Sequence, residues 1–208
     1  MDSVNEILQD RALSHRIGLD QVAGSIRNDV ISLLNESDDD IEERLQFRLG
    51  RSADDISGDV RAERELNALR QEIQDINEQV MNDVTPRWKE RFKKVSKSEG
   101  EGSARDLQRA IPVDIDPSVP SENQLTALVA TNPIEGQTLS GWADKIEQDR
   151  TNKIINEVRK GIVEGDSNQE IVDRVMGTRQ FGFKDGVLNG SRQNVAAITR
   201  TAVTEFSS

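Results

Sequence analysis

The sequence predicts a mainly α-helical protein with an elongated N-terminal helical arm and a small C-terminal helical domain. Between Leu66 and Val80, apolar residues recur at alternating steps of three and four, which is the spacing of a coiled-coil seam. Ser121 and Ser167 are each followed three positions later by Gln or Glu, which is the pattern of a capping box at a helix start. The 208 residues are 34% hydrophobic, 31% charged and 3% aromatic, a balance that favours thin helical structures over a compact globule.

The N-terminal third is predicted to contain one or two helices, a turn and a further short helix. Apolar residues at helical spacing predict one or two helices from Ser3 to Leu34. The stretch "NESDDDIEE" that follows suits a turn and an N-cap, because Ser and Asp accept hydrogen bonds from free backbone N–H groups and acids favour a helix start. Ile41, Leu45 and Leu49 then predict a short helix that ends at Gly50.

The longest predicted helix carries the coiled-coil seam. Pro86 interrupts the pattern, and a proline inside a helix removes a hydrogen bond, so we expect either a kink near Thr85 or a new helix with Pro86 in its first turn. The seam has two interpretations, which are packing within the chain and contact with an oligomer partner or another protein. Its candidate partner-binding residues are Leu66, Leu69, Ile73, Ile76 and Val80.

Two consecutive segments are predicted to separate the arm from the C-terminal domain. "SKSEGEGSARD" is rich in Gly, Ser and charge and should be mobile, and "IPVDIDPSVPSE" contains three prolines and should be extended. The predicted organisation is therefore an N-terminal helical arm at 1–97, a linker at 98–120 and a C-terminal helical domain at 121–208.

The C-terminal domain has the clearest local signals. A short helix is expected after Ser121, "TNPIEGQT" should be a loop, and a long helix should run from about Leu139 to Val163. In "GIVEGDSNQEIVDRVMG" a glycine ends one helix, Ser167 caps the next and Gly177 ends it, which predicts a tight helical hairpin. "RQFGFKDGVLNG" is expected to form a loop or a short β-hairpin before a terminal helix.

Composition and motifs argue against several classes of function. The formal net charge is −11, so the chain as a whole does not coat DNA, and any nucleic-acid contact must come from a local patch. The sequence has no cysteine for a disulfide or a thiolate zinc site, and no apolar run approaches the length of a membrane span. His15 is the one histidine, and no nucleophilic, phosphate-binding or calcium-binding motif is complete. We therefore expect no enzymatic activity, no cofactor, no metal and no membrane partner.

One basic patch is a candidate nucleic-acid contact. In "PRWKERFKKVSK" basic residues alternate with two aromatic residues, a combination that can hold phosphates and stack on bases. The other interpretation is an ordinary amphipathic helix end, where Lys and Arg favour the last turn. If the patch is the functional site, the protein is a DNA-binding accessory factor. The candidate residues are Arg87, Trp88, Lys89, Arg91, Lys93, Lys94 and Lys97.

Three pieces follow one another in a distinctive order between Thr131 and Phe206. They are "NPIEGQTL", the hairpin "GIVEGDSNQEI" and a terminal helix that contains "AITRTAV". Each piece is degenerate alone, but their order and spacing resemble the tailed-phage head morphogenesis family, also called minor head or Mu F-like proteins. Arg200 and Thr201 lie at the recurring Arg-Thr position of that family.

The resemblance implies a minor capsid protein that is made in the bacterial host cytoplasm and located at the portal vertex inside the virion head. The implied partners are the portal protein and the major capsid or scaffold protein, with multiple copies around the portal and a local contact with packaged DNA. The implied role is in head assembly, genome packaging or DNA ejection. Arg192, Arg200 and Thr201 of the terminal helix are candidate partner-binding residues, since an arginine suits a carboxylate or phosphate. Relatives commonly continue past this helix, and no activity of such further regions is carried over.

Overall fold

The protein is built mainly from α-helices. The computed structural model describes residues 4–53, 59–110 and 119–207. These ranges contain no β-strand, and their one β-bridge, between Ile134 and Gln137, is isolated. The prediction of a mainly α-helical fold is therefore confirmed. In chain order the elements are α1 (Val4–Ala53), α2 (Asp59–Ala110), α3 (Glu122–Thr131), α4 (Leu139–Glu164), α5 (Asn168–Met176), one 3₁₀ turn (Arg179–Phe181) and α6 (Leu188–Phe206).

α1 continues without a break through the acidic stretch that the sequence predicts to be a turn. Leu34 and Ile41 are buried, and so are Ser37 and Asp38, which lie between them on the same face. The polar pair can occupy buried positions because it is hydrogen-bonded. The Ser37 hydroxyl donates to the Leu34 carbonyl oxygen at 2.8 Å, and Asp38 accepts from arginine side chains. The predicted turn is therefore wrong, and the predicted helix end at Gly50 is wrong as well, because α1 continues past it.

α2 is also one continuous helix, although Pro86 lies inside it. Pro86 has no backbone N–H, so one hydrogen bond of the helix is missing there. Around it, the Thr85 hydroxyl donates to the Met81 carbonyl oxygen at 2.8 Å, and Val84 and Trp88 are fully buried. Burial of the flanking side chains stabilises the helix through the proline, and the alternative of a new helix that begins at Pro86 is wrong.

The predicted mobile linker is helical in its first part. Residues 98–110 form the last turns of α2, so the prediction is wrong there, and residues 111–118 lie outside the described residues. Contacts with distant segments stabilise this end of the helix: Glu99 Oε2 lies 2.8 Å from His15 Nε2, and the buried Ser96 hydroxyl donates to the Phe206 carbonyl oxygen at 2.9 Å. Tertiary contact here outweighs the low helix propensity of Gly and Ser.

The contacts divide the chain into two compact units, each assembled from segments that are distant in sequence. The first unit comprises Met1–Asp29, Pro86–Leu139 and Ala196–Ser208, and the second comprises Val30–Thr85 and Ser140–Val195. The sequence-based division into 1–97, 98–120 and 121–208 follows chain order instead, and it stays a prediction.

The first unit has aromatic side chains in its core. Trp88 and Phe92 of α2 are fully buried, and the Phe92 ring stacks on the Phe206 ring of α6 with 5.4 Å between ring centres. Leu125 and Val129 of α3 are buried as well. Apolar burial in this unit therefore involves α2, α3 and the end of α6.

The second unit buries an aliphatic core. Beside that core, Arg48 of α1 donates two hydrogen bonds to the Glu72 carboxylate of α2, at 2.6 and 3.2 Å, and one to Glu65 at 2.9 Å. The hydrogen bonds from Arg48 hold the pKa of the Glu72 carboxyl below its ordinary value. Five helices contribute to the core, whose members are Ile41, Leu45, Leu49, Leu69, Ile73, Ile154, Ile155, Val158, Ile171, Val172, Val175, Met176 and Leu188.

The local signals for helix ends are confirmed. Ser121 and Ser167 both form the predicted capping boxes, with Gln124 and Glu170 as the reciprocal partners. Gly165 adopts a φ of 78° in the turn between α4 and α5, which is a conformation that favours glycine. The predicted helical hairpin is therefore present. Of the two alternatives for the stretch after α5, the structure has the loop, with its single 3₁₀ turn.

Gly161 in α4 allows α5 to pack closely. A Cβ added at Gly161 would lie 2.6 Å from Cγ1 of the buried Ile171. We expect Gly161→Ala to lower the free energy of unfolding by about 1–3 kcal/mol, because overpacking outweighs the gain in helix propensity. Gly24→Ala in α1 is the control, since nothing lies within 4 Å of its added Cβ, and it should be neutral or stabilising. Urea unfolding followed by circular dichroism measures both, and a neutral Gly161→Ala would contradict the close packing.

Candidate partner-binding surface

The predicted coiled-coil seam lies inside the second unit. Leu69, Ile73 and Val80 are 2%, 0% and 6% exposed. Leu66 and Ile76 are half-buried and pack against the aliphatic core. Of the two interpretations of the seam, the structure has packing within the chain, and the assignment of these five residues to partner binding is corrected.

The aromatic residues of the basic patch are not available for stacking on bases. Trp88 and Phe92 are both 0% exposed in the first unit. They alternate with the basic residues because the helix buries one face, and that face carries the aromatic side chains. Trp88 is therefore removed from the candidate nucleic-acid residues, while phosphate binding by the basic residues stays a prediction.

Several cations of the patch are already paired with acidic side chains. Lys93 Nζ lies 3.0 Å from Glu90 and 3.3 Å from Glu122, and Lys97 Nζ lies 3.2 Å from Glu122. Lys94 Nζ lies 3.4 Å from Glu90. Hydrogen bonds from Lys97 and Lys93 hold the pKa of the Glu122 carboxyl below its ordinary value. Exposed pairs of this kind contribute little stability, but they offset the local positive charge.

The remaining cations of the patch differ in their surroundings. Arg91 Nη2 donates to the Ser25 hydroxyl oxygen at 2.5 Å and lies 3.3 Å from Asp29 of α1. Arg87 is exposed and Lys89 is half-buried, and within the described ranges neither has an ion pair. Arg87 and Lys89 are thus the part of the patch that is left for a phosphate.

Arg192 at the start of α6 is held by partners in its own chain. Its Nε donates to Asn35 Oδ1 at 2.9 Å, and its Nη2 donates to Asp38 Oδ2. The Arg192 side chain is 20% exposed and that of Asp38 is 4% exposed. Arg192 therefore fastens α6 to α1, and its assignment to partner binding is corrected.

Asp38 also accepts a hydrogen bond from Arg150 of α4, which completes a buried network of three charged groups. The Arg150 side chain is 1% exposed, and its Nη2 also donates to the Ser37 hydroxyl oxygen at 2.9 Å. Burial raises the pKa of the Asp38 carboxyl, and the guanidinium groups of Arg150 and Arg192 oppose that rise. Arg150 Nε and Nη1 have no hydrogen-bond partner among the residues described. Such a buried network links α1, α4 and α6, because each arginine bonds to the one carboxylate.

Removing the central carboxylate of this network should destabilise the second unit. Asp38→Asn leaves the buried Arg150 and the half-buried Arg192 without a countercharge, so we expect the free energy of unfolding to fall by about 3–5 kcal/mol. Asp39→Asn is the matched control, because Asp39 is exposed and adjacent, and it should change stability by less than about 0.5 kcal/mol. Denaturant unfolding at neutral pH measures both, and equal losses would show that the network does not fasten the helices.

Arg200 and Thr201 differ in what they offer a partner. Arg200 is exposed on α6, and no ion pair to it exists in the described parts of the chain. Thr201 is half-buried, and its hydroxyl donates to the Ala197 carbonyl oxygen at 3.2 Å. Of the two arginines predicted as partner-binding residues on α6, Arg200 is the exposed one, and partner binding at Arg200 and Thr201 stays a prediction.

The segment between α5 and α6 presents two phenylalanines that the sequence reasoning did not select. Phe181 is 60% exposed and Phe183 is 48% exposed. The sequence feature that could have identified them is the occurrence of two Phe residues in a Gly-rich stretch, because the chain is only 3% aromatic. We name residues 179–184 the aromatic loop. It also contains two exposed cations, Arg179 and Lys184.

Hydrogen bonds fix the aromatic loop at both ends. The Asp185 carboxylate accepts from the Thr178 backbone N–H at 2.8 Å and from the Thr178 hydroxyl at 2.7 Å. The Phe183 N–H donates to the Thr178 carbonyl oxygen at 2.9 Å, and the Asn189 side-chain amide donates to the Lys184 carbonyl oxygen at 3.0 Å. The loop is therefore exposed to solvent but held by its own hydrogen bonds.

The contact between Asp185 and Thr178 should respond to pH. The backbone and hydroxyl hydrogen bonds from Thr178 hold the pKa of the Asp185 carboxyl below its ordinary value of 3.8. A depressed folded-state pKa means that the contact contributes stability above pH 3.8 and loses it as pH falls through the folded-state pKa. We expect the protection of the Thr178 amide against hydrogen exchange to fall in that window, as measured by NMR. In Asp185→Ala the protection should be low at every pH, and unchanged protection in that variant would contradict the contact.

The described ranges hold no group of three or more His, Asp or Glu side chains arranged to bind a metal ion. His15 lies on the surface, with its side chain 54% exposed and its Nε2 2.8 Å from Glu99 Oε2. None of the helices described is long and apolar enough to cross a membrane.

Known proteins give no assignment for this chain. No protein-family model, curated protein or solved structure matches it significantly. The resemblance of residues 131–206 to the head morphogenesis family therefore stays an expectation from the sequence.

Proposed function

We propose that this protein is a structural component of a tailed-bacteriophage head, a minor capsid protein that associates with the portal vertex inside the head. The observation that carries the proposal is the order and spacing of "NPIEGQTL", "GIVEGDSNQEI" and "AITRTAV" between Thr131 and Phe206. In this proposal the protein is made in the host cytoplasm and assists head assembly, genome packaging or DNA ejection. Several copies bind the portal protein, and the major capsid or scaffold protein is a further partner.

The third of these pieces supports a binding role, because it contains an exposed arginine. The first piece contains the turn around the bridge between Ile134 and Gln137, and the second contains the turn of the hairpin at Gly165. The third piece lies in α6 and includes the exposed Arg200. An arginine displayed on a well-packed helix suits a carboxylate on another protein, because its guanidinium group forms paired hydrogen bonds with planar acceptors.

The proposed role is structural and not enzymatic. Its support is the location of the buried charge cluster, because Arg150 and Arg192 each bond to Asp38 and Arg150 is 1% exposed. Catalytic groups must contact a substrate, whereas these groups contact other helices. These charged groups therefore hold helices of the same chain together. In the proposal, partners bind to other, exposed surfaces.

The alternative function, a DNA-binding accessory factor, has weaker support. Trp88 is buried, and Lys93, Lys94 and Lys97 have carboxylate partners. The net charge of −11 also opposes approach to DNA. Contact with packaged DNA is retained only as a local contribution within the proposed structural role.

Light scattering of this protein mixed with the portal protein of the same genome tests the proposal. We expect a defined complex whose affinity falls at least about tenfold in Arg200→Glu, because the reversed charge opposes the acidic group of the partner. Arg159→Glu is the matched control, since Arg159 is an exposed arginine of α4, and it should leave the complex unchanged. Absence of a complex with the unmodified protein would overturn the portal association, and equal loss in both variants would overturn the role of Arg200.

A further inference from the structure

The aromatic loop has the composition of a protein-docking element. Phe181 and Phe183 expose 60% and 48% of their surface. Aromatic side chains are enriched in protein interfaces, and burying an exposed ring on binding removes a large apolar area from water. Two such rings, separated by one glycine, therefore form a compact apolar contact point.

The conformation of the loop is set before any partner binds. Phe183 has a φ of 59°, in the left-handed region that a large side chain rarely adopts, and its N–H is bonded to the Thr178 carbonyl oxygen at 2.9 Å. Gly177 has a φ of 90°, and a Cβ added there would lie 2.8 Å from the Gly186 nitrogen. Strained backbone persists only where its surroundings hold it. A loop held in this way loses little conformational entropy when it binds.

The charge of the loop indicates the chemistry of its partner. Arg179 and Lys184 flank the two phenylalanines, and neither has an ion pair in the described ranges. The nearest acid in sequence, Asp185, is bonded to Thr178. The loop is thus locally basic in a chain of net charge −11, and an acidic surface is complementary to it.

The chain itself carries an acidic surface of matching character. Glu36, Asp40 and Glu43 are exposed at steps of four and three along α1, so they share one helical face. We name these three residues the acidic strip, and no ion pair to them occurs in the described parts of the chain. One turn further along that face, Phe47 is 49% exposed, with the Arg51 guanidinium 5.4 Å from its ring centre.

We propose that this protein associates with copies of itself, with the aromatic loop of one copy seated on the acidic strip of the next. Arg179 and Lys184 pair with carboxylates of the strip, and the two phenylalanine rings are covered by the apposed helix. Because the loop and the strip are different surfaces, two reciprocal contacts can close a two-fold dimer, whereas one contact per pair repeats head to tail into a closed ring or an open chain. This association requires no portal protein and goes beyond the proposed function.

A single-stranded nucleic acid is the competing occupant of the loop, since cations and aromatic rings also bind bases and phosphates. The acidic strip in the same chain and the net charge of −11 favour a second copy over a polyanion. The two occupants are distinguished by whether association occurs in the purified protein alone.

Sedimentation velocity of the purified chain is the first test, at low salt and from about 1 to about 100 μM. We expect the mean sedimentation coefficient to rise with concentration, and the association to weaken as salt is added, because ion pairs contribute to it. The loop variant, Phe181→Ser with Phe183→Asn, should weaken association at least about tenfold. Asn is chosen at 183 because it tolerates a positive φ.

The strip variant, Glu36→Gln with Asp40→Asn and Glu43→Gln, should weaken association to a similar extent. Its control neutralises three other exposed acids, Glu63, Glu78 and Asp144, and should associate like the unmodified protein. Circular dichroism of every variant shows whether the helices remain folded. Equal loss of association in the control would reduce the effect to net charge and overturn the proposed contact.

Mixing the loop variant with the strip variant gives the sharpest test. The loop variant retains an intact strip, and the strip variant retains an intact loop, so together they form one native contact and should stop at a 1:1 dimer. A monomeric unmodified protein at all concentrations, or a mixture that does not associate, would overturn the proposal. Binding of a single-stranded oligonucleotide to a chain that stays monomeric would also overturn it, in favour of the competing occupant.

Discussion

The structure depends on one buried electrostatic constraint, the bonding of Asp38 to Arg150 and Arg192. These residues lie on α1, α4 and α6, and the two contacts join positions 112 and 154 residues apart. Charges removed from water are costly unless they are paired, so the network favours the arrangement of the three helices that brings these groups together. The same constraint explains why α1 stays helical through its acidic stretch, because Asp38 must face the interior.

Many charged and apolar side chains are buried or hydrogen-bonded within the chain, and this determines which surfaces can still bind a partner. The seam from Leu66 to Val80 is covered by the second unit, Trp88 is covered by the first, and Arg192 is engaged by Asn35 and Asp38. The surfaces that remain outward in the described ranges include Arg87, Arg200, the acidic strip and the aromatic loop. A binding role for this protein is therefore best sought on α6 and on the segment just before it.

The aromatic loop combines exposure with fixed geometry. Surface loops are usually the most variable and mobile part of a protein. Here, Thr178 and Asp185 close the base of the loop, and Gly177 lies so close to Gly186 that a side chain would not fit. Local hydrogen bonds and glycine together keep two apolar rings exposed to water. This exposure costs free energy in the isolated chain, and the cost is removed when a complementary surface covers the rings.

Local sequence patterns were enough to predict the helical class, both capping boxes and the hairpin between α4 and α5, because these features depend on hydrogen bonds between neighbouring residues. Tertiary structure decided the rest. The acidic stretch and residues 98–110 have weak local helix signals, and distant contacts stabilise them as helix: Asp38 bonds to Arg150 and Arg192, and Glu99 Oε2 lies 2.8 Å from His15 Nε2. The sequence showed that Arg192 and the seam can bind a complementary group. Whether that group lies in the same chain or in another protein depends on residues that are far away in the sequence.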